Sequence, residues 1–323
     1  MRRFMYLIPA ICVLGLTAQF VQAQTYPNRP IELIIAAPAG GGGDILGRLL
    51  AENLEKSLGV KIVSVNKPGG SDTLAADTVV RAKKDGYTLL NCAGMATIYA
   101  RAMQPEIVPY DPIKDLTHLG VTFFFPIGIA VQANSRWKTF AEMIDDAKKN
   151  PGKIRFSVAD IGATTNFALE MIQGATGAKF NSIPMGGGPA VVTALLGGHV
   201  EASCDQFGKF VPQVEAGKLR FLLTTKKVPV FPNVPTLDQF GYKEEMLNGY
   251  YSLFAPAGVP EEVKKVLVPA IEKATKSPEI KAKVEKLGYI VDYKPPEESV
   301  RMVIRDYEAA NAIALKLGLR KKK

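Results

Sequence analysis

Two stretches of this sequence are suited to meeting an anion with backbone atoms rather than with charged side chains. Residues 38–50 read PAGGGGDILGRLL and residues 184–196 read PMGGGPAVVTALL. Proline, three glycines and two leucines coincide without a gap, and each stretch joins a strand-like run to a helix-like one. Glycine lets a backbone come close to a ligand. The first N–H groups of a helix have no partner inside it, so a helix N-terminus is a ready anion site. A third segment, residues 160–166 (DIGATTN), also lies between a strand pattern and a helix pattern. There Thr164 and Thr165 can cap the helix or offer hydroxyls to a ligand, and Asp44 in the first stretch has the same two options. Charge-assisted hydrogen bonds contribute roughly 1.5–3 kcal/mol each. Three or four such donors would hold a carboxylate without an arginine or lysine.

Other chemistries find little support. The run from Gly40 to Gly43 is not a Walker loop, because no Gly-Lys-Ser/Thr follows, and Asp44 takes the place of the second glycine of G-x-G-x-x-G. No G-x-S-x-G, H-E-x-x-H or C-x-x-C occurs. Only two histidines are present, which excludes a site needing several imidazoles. His118, in a charged stretch, and His199, after Gly197-Gly198, both read as loop residues. The lysines of 264–286 read as solvated helix faces, without the aromatic interleaving of a nucleic-acid surface. No catalytic residue, metal or cofactor is expected, and no nucleic-acid partner.

The elements that must position these loops alternate. Strands are expected at 31–37, 61–65, 87–90, 127–131, 154–158, 180–183, 200–204 and 219–224. Helices are expected at 44–58, from Thr139 to about Asn150, and at 165–174 and 190–196, with Thr139 and Glu142 forming a capping box. Such alternation implies parallel sheets flanked by helices. Pro260 and Pro278 open two later helices, and a last amphipathic helix covers about 297–317. Phe123-Phe124-Phe125 reads as core or hinge packing.

The chain has 323 residues, 47% hydrophobic and 22% charged, with a formal charge of +9. That composition is globular and not disordered, collagenous or disulfide-stapled. The length exceeds what one core usually supports and suggests two lobes. Arg2 and Arg3, an apolar run from Phe4 to Leu16, and Ala23 before Gln24 read as a cleaved secretory signal, residues 1–23. The run is well short of the ~20 residues needed to span a bilayer. Removing the signal leaves +7, and setting aside the tail lysines 321–323 leaves +4 on the body. The mature chain keeps Cys92 and Cys204, expected as two independent buried thiols.

From Tyr26 onward the sequence resembles the periplasmic solute receptors of tripartite tricarboxylate transporters, also called the Bug family. The resemblance rests on Tyr26-Pro27-Asn28-Arg29-Pro30-Ile31, Pro38-Ala39-Gly40-Gly41-Gly42-Gly43-Asp44 and Asn66-Lys67-Pro68-Gly69. It continues through Asp85-Gly86-Tyr87-Thr88-Leu89-Leu90, Tyr110-Asp111-Pro112, Leu195-Leu196-Gly197-Gly198 and Pro232-Asn233-Val234-Pro235-Thr236. It ends with residues 253–260, LFAPAGVP.

The resemblance implies an α/β, two-lobed periplasmic binding protein of type II-like architecture, each lobe a mainly parallel sheet flanked by helices. Lobe 1 would comprise 24–122 plus 254–323, and lobe 2 would comprise 123–253. A small organic carboxylate would lie between them, for delivery to large and small integral-membrane transporter subunits by a monomeric receptor. A receptor presenting its ligand to a sensor kinase, or an enzyme acting on a carboxylate, is the alternative. On matching positions, lobe 1 would contact the ligand through Ala39, Gly40, Gly43 and Asp44, with Ala93, Gly94 and Met95. Lobe 2 would offer Ala163, Thr164, Thr165, Met185, Gly186, Gly187 and Asp205. Three departures stand out: Asn166 where the family often has His, Met185-Gly186 where it has Tyr-Lys, and Gln206 where it has Asn. Losing Tyr and Lys implies a ligand less polar than citrate, an aromatic or aliphatic carboxylate.

Overall fold

The computed structural model describes residues 26–161, 163–242, 249–316 and 318–320. The expected signal peptide and its cut after Ala23 lie outside the described residues, as do Gly162 and the tail lysines. The chain opens with β1 (Ile31–Ile35), α1 (Gly42–Leu58), β2 (Ile62–Asn66), α2 (Thr73–Val80) and β3 (Thr88–Ala93). A π-helical turn leads into α3 (Ala100–Met103), then β4 (Leu116–Phe125) and β5 (Ile127–Gln132). Next come α4 (Phe140–Lys149), β6 (Arg155–Val158), α5 (Thr164–Thr176), β7 (Asn181–Pro184) and α6 (Gly188–Leu196). They are followed by β8 (Ala202–Gln206), α7 (Phe207–Glu215) and β9 (Leu219–Thr224). The chain finishes with β10 (Gly249–Pro256), α8 (Glu261–Thr275), α9 (Pro278–Lys286), β11 (Ile290–Lys294) and α10 (Pro296–Lys316).

Two sheets result. The first has the order β11-β4-β10-β3-β1-β2 and the second β7-β6-β8-β5-β9. Both are mixed rather than mainly parallel. β1 pairs in parallel with β2 and β3, and β6 with β7 and β8. β10 is antiparallel to both β3 and β4, β11 to β4, and β5 to both β8 and β9. The reason lies in the two crossings between sheets. A helical crossover returns the chain to the same end of its sheet and gives a parallel neighbour. β5 and β10 instead arrive from the other sheet and enter reversed. β5 follows β4 with only Pro126 between them, so the first crossing is a straight run from one sheet to the other. The sequence-level boundaries at 122/123 and 253/254 fall inside β4 and β10.

β4 and β10 are the central supports. Every residue of β10 is buried, as is nearly all of β4, including Phe123, Phe124 and Phe125. His118 belongs to β4 and not to a loop. It is buried, with Nδ1 3.0 Å from Ser299 Oγ and Nε2 3.2 Å from the Pro112 carbonyl. The strands β4, β10 and β11 and the helices α2, α3 and α7 have no counterpart among the expected elements. Cys92 and Cys204 are buried and not joined by a disulfide. Among the described residues, no helix is long and apolar enough to cross a membrane.

Candidate ligand site between the two sheets

A cavity of about 100 Å³ lies between the sheets, and five helices begin at its wall. Their N-cap residues are Gly41 (α1), Asp72 (α2), Ala163 (α5), Gly187 (α6) and Gln206 (α7), and all five line the cavity. None of these helix starts has a side-chain cap. By contrast α4 and α9, which begin elsewhere, are capped by Thr139 and Ser277. Each N-terminus carries roughly half a positive charge on its exposed N–H groups. Two such ends come from the first lobe and three from the second, all facing one space.

Local sequence explains the first-lobe loop. β1 ends at Ile35, the buried Ala36 follows, and the chain turns at Pro38 so that Gly41 N donates to the Pro38 carbonyl at 3.0 Å. Gly40 sits at φ +75°, where a side chain would be strained. The Asp44 carboxylate then locks the loop: it accepts from Gly40 N at 2.9 Å, Arg48 Nε at 2.7 Å and Asn66 Nδ2 at 2.8 Å. Burial alone would raise its pKa, but the Gly40 amide, Asn66 and Arg48 together hold it below the usual carboxylate range. Asp44 is thus spent on loop geometry.

On the second lobe, Thr164 and Thr165 open α5, and their hydroxyls are buried without a hydrogen-bond partner among the described residues. A buried unpaired polar group costs roughly 1–3 kcal/mol, which a ligand oxygen accepting from it would recover. Asp205, at the end of β8, accepts from Lys209 Nζ at 2.8 Å and from Gln206 N at 2.7 Å through Oδ1, and its Oδ2 is unpartnered.

The sequence-predicted residues divide accordingly. Gly43, Ala93, Met95, Ala163, Thr164, Thr165, Gly186, Gly187 and Asp205 line the cavity. Ala39 and Gly40 are exposed at the loop tip, and Asp44 faces its own loop. Gly94 is buried against Tyr99 and Ile98, and Met185 packs on the second-lobe core. Sequence reasoning did not single out Ser71, Asp72, Lys209 or Tyr251, all on the cavity wall, and Phe125, read as core or hinge packing, also lines it. For Lys209 a signal existed, its i+4 spacing from Asp205. The others come from a turn without periodicity and from the crossing strands.

Across the cleft the lobes meet at several places, Tyr99 packing on Phe167 and Gly208 on Tyr289 among them, and three contacts lie beside the cavity. Gln206 Nε2 donates to the Tyr251 hydroxyl at 2.6 Å, and the Tyr251 and Tyr289 hydroxyls donate to Gln206 Oε1 at 2.9 and 3.2 Å. Burial raises the pKa of both phenols, so they remain donors. Ser71 Oγ donates to Asp160 Oδ1 at 3.2 Å. At Gly187 a Cβ would meet Pro38 Cγ at 3.0 Å, so the two echoing glycine loops abut.

Two mixed α/β lobes closed over a cavity ringed by helix N-termini define a solute-binding protein for a small anion. Comparison with known proteins is specific. Residues 46–319 match the tripartite tricarboxylate transporter family receptor model, and the chain belongs to that family. It is 34% identical over 316 residues to a UPF0065 protein of Cupriavidus necator, covering 97% of this chain and 95% of the relative. The structure of periplasmic binding protein BugD superposes with a TM-score of 0.85 at 28% identity, covering 92% of this chain and all of BugD. An R. palustris protein solved with adipate gives a TM-score of 0.86 at 25% identity, covering 91% and 98%. The relatives are binding receptors of the Bug type, not enzymes.

Proposed function

We propose that this protein is exported and captures a small organic carboxylate by closure of its two lobes, then delivers it to the membrane subunits of a tripartite tricarboxylate-type transporter. The observation that carries the reading is the convergence of five uncapped helix N-termini on one cavity. Lobe 1 is the part built on the first sheet and lobe 2 the part built on the second. The ligand carboxylate takes the Thr164 and Thr165 hydroxyls and first-turn amides of α1, α5 and α6. In an R. palustris relative the bound molecule is adipate, a carboxylate. Ligand favours the closed form over the open one, since only the closed form presents both lobes. In this reading residues 1–23 are the export signal, cut after Ala23, and the receptor works in the periplasm.

Calorimetric titration with aliphatic and aromatic carboxylates tests this, alongside native mass spectrometry of protein taken from cells. Thr164→Val and Thr165→Val each remove a hydrogen bond to a charged group, worth roughly 1.5–3 kcal/mol. Each is expected to weaken carboxylate binding roughly tenfold to a hundredfold with little change in melting temperature. Unchanged affinity in both variants would move the carboxylate elsewhere. Tight binding of citrate alone would refute the less polar ligand.

A further inference from the structure

Asp72 is a charged group that the carboxylate reading leaves without a task. It stands at the N-cap of α2, where aspartate normally accepts a bond from its own helix, yet it makes no such bond. Its φ is +68° and that of Ser71 is +52°. This left-handed conformation costs a non-glycine residue roughly 1–2 kcal/mol. The consequence is a carboxyl on the cavity wall, only 9% exposed, with no hydrogen bond among the described residues.

Its neighbours set the local charge. Lys209 faces it from α7 and Asp160 from the loop before α5. Lys209 is already paired to Asp205 at 2.8 Å, and that pair is nearly sealed from solvent. Asp160 lies within reach of Ser71, one residue from Asp72. The Cys92 thiol and the Tyr110 and Tyr251 phenols also sense Asp72, from β3, the loop before β4 and β10. The cavity wall thus carries three carboxyls, Asp72, Asp160 and Asp205, with the one ammonium of Lys209 among the described residues. Burial pushes Asp72 up to about 8, with Lys209 opposing the rise and Asp160 adding to it.

Resting on the carboxylate reading, the geometry points to a ligand with a carboxylate at one end and an ammonium at the other. The carboxylate meets Thr164 and Thr165, and the ammonium meets Asp72 and Asp160. A second ligand carboxylate at this end would instead lie against acids and against a lysine already paired. As the ammonium arrives, the Asp72 carboxyl gives its proton to solvent and becomes the counter-ion. Burial thus favours the neutral carboxyl of Asp72, and an arriving cation favours its charged form.

The test is calorimetry of the mature protein at neutral pH, in two buffers of different ionisation heat. The probes are succinate, 4-aminobutyrate and butyrate, with adipate, 6-aminohexanoate and hexanoate as the longer set. At the length that fits, the amino acid is expected to bind about tenfold or more tightly than its dicarboxylate and monocarboxylate counterparts, releasing close to one proton. Asp72→Asn abolishes both the preference and the proton release while the monocarboxylate binds as before; Asp160→Asn reduces the preference. If the dicarboxylate binds best at each length, or binding takes up a proton, neutral Asp72 is a donor to an anion and the inference falls while the carboxylate reading stands. An Asp72→Asn protein with unchanged ranking also overturns it. If none of the six probes binds, this inference falls, and the carboxylate reading is decided separately by the titration with aromatic carboxylates.

Discussion

Replacing Gly42 by alanine separates folding from closure. Gly42 opens α1 on the cavity wall, and a Cβ there would lie 2.3 Å from Gln206 Oε1 and 2.4 Å from the Tyr289 hydroxyl. Both atoms are ends of side chains and can swing aside. Doing so breaks the Tyr289–Gln206 bond and the Tyr251–Gln206 bond to the same oxygen, which tie lobe to lobe. Each such bond is worth a net ~0.5–1.5 kcal/mol, so closure loses about 1–3 kcal/mol. The helix loses nothing, because alanine is the better helix former. Affinity for a bound carboxylate should therefore fall roughly 5- to 150-fold, while the melting temperature of the ligand-free protein holds or rises. Calorimetry gives the first quantity and thermal unfolding the second. Small-angle scattering should show less compaction on adding ligand. Adding Gln206→Ala removes one of the two atoms the methyl meets and the bridge it would break, so Gly42→Ala should cost less in that background. Normal affinity with normal compaction would show that the Gln206 bridge does not contribute to closure.

His118 and the cysteines yield two further outcomes. Burial pushes the His118 imidazole down to about 4, only partly offset by the Pro112 carbonyl, against about 6.5 in an unfolded chain. The native state refuses a proton that the unfolded state binds, so this contribution is complete above pH ~6.5 and is lost as pH falls toward ~4. It amounts to about 3 kcal/mol. The wild-type melting temperature should drop across that window relative to His118→Gln, and parallel curves would refute it. Burial also raises both thiol pKa values, and Cys92 and Cys204 are 2% and 0% exposed. Neither should react with a thiol reagent until the protein unfolds, and reductant should leave the melting temperature unchanged.

What could be read from sequence was local. Apolar runs such as Ile31–Ile35, and glycine after them, marked the strand–loop–helix units within each lobe. The echo between 38–50 and 184–196 marked two loops that meet at Pro38 and Gly187. Long-range information was not legible. The reversal of β5 and β10 follows from crossings whose partners lie far away in the chain, as with Tyr251 and Gln206. His118 read as a loop residue because its strand begins just after Asp115, while the hydroxyl that holds it, Ser299, is 181 positions distant. Among the glycines of the first loop, composition could not separate exposed Gly40 from Gly42 and Gly43 on the cavity wall. Only the packing of Tyr251 and Gln206 against the latter pair does so.

The charge of the chain and the charge of the cavity have opposite sign, and that opposition accounts for the need to close. The sequence carries +9, yet among the described residues the ionisable side chains on the cavity wall are Asp72, Asp160, Asp205 and Lys209. An anion is therefore not drawn in by lysines. Attraction comes from helix N-termini, whose field fades within about one turn. An open cleft would offer a ligand only the α1 and α2 ends or only those of α5, α6 and α7. Bringing both sets to the same ligand requires the lobes to meet, at contacts that include Gln206 with Tyr251 and Tyr289, Ser71 with Asp160, and Pro38 with Gly187. Short-range dipoles on two separate lobes make binding and closure one event, which a lysine-lined cleft acting at longer range would not.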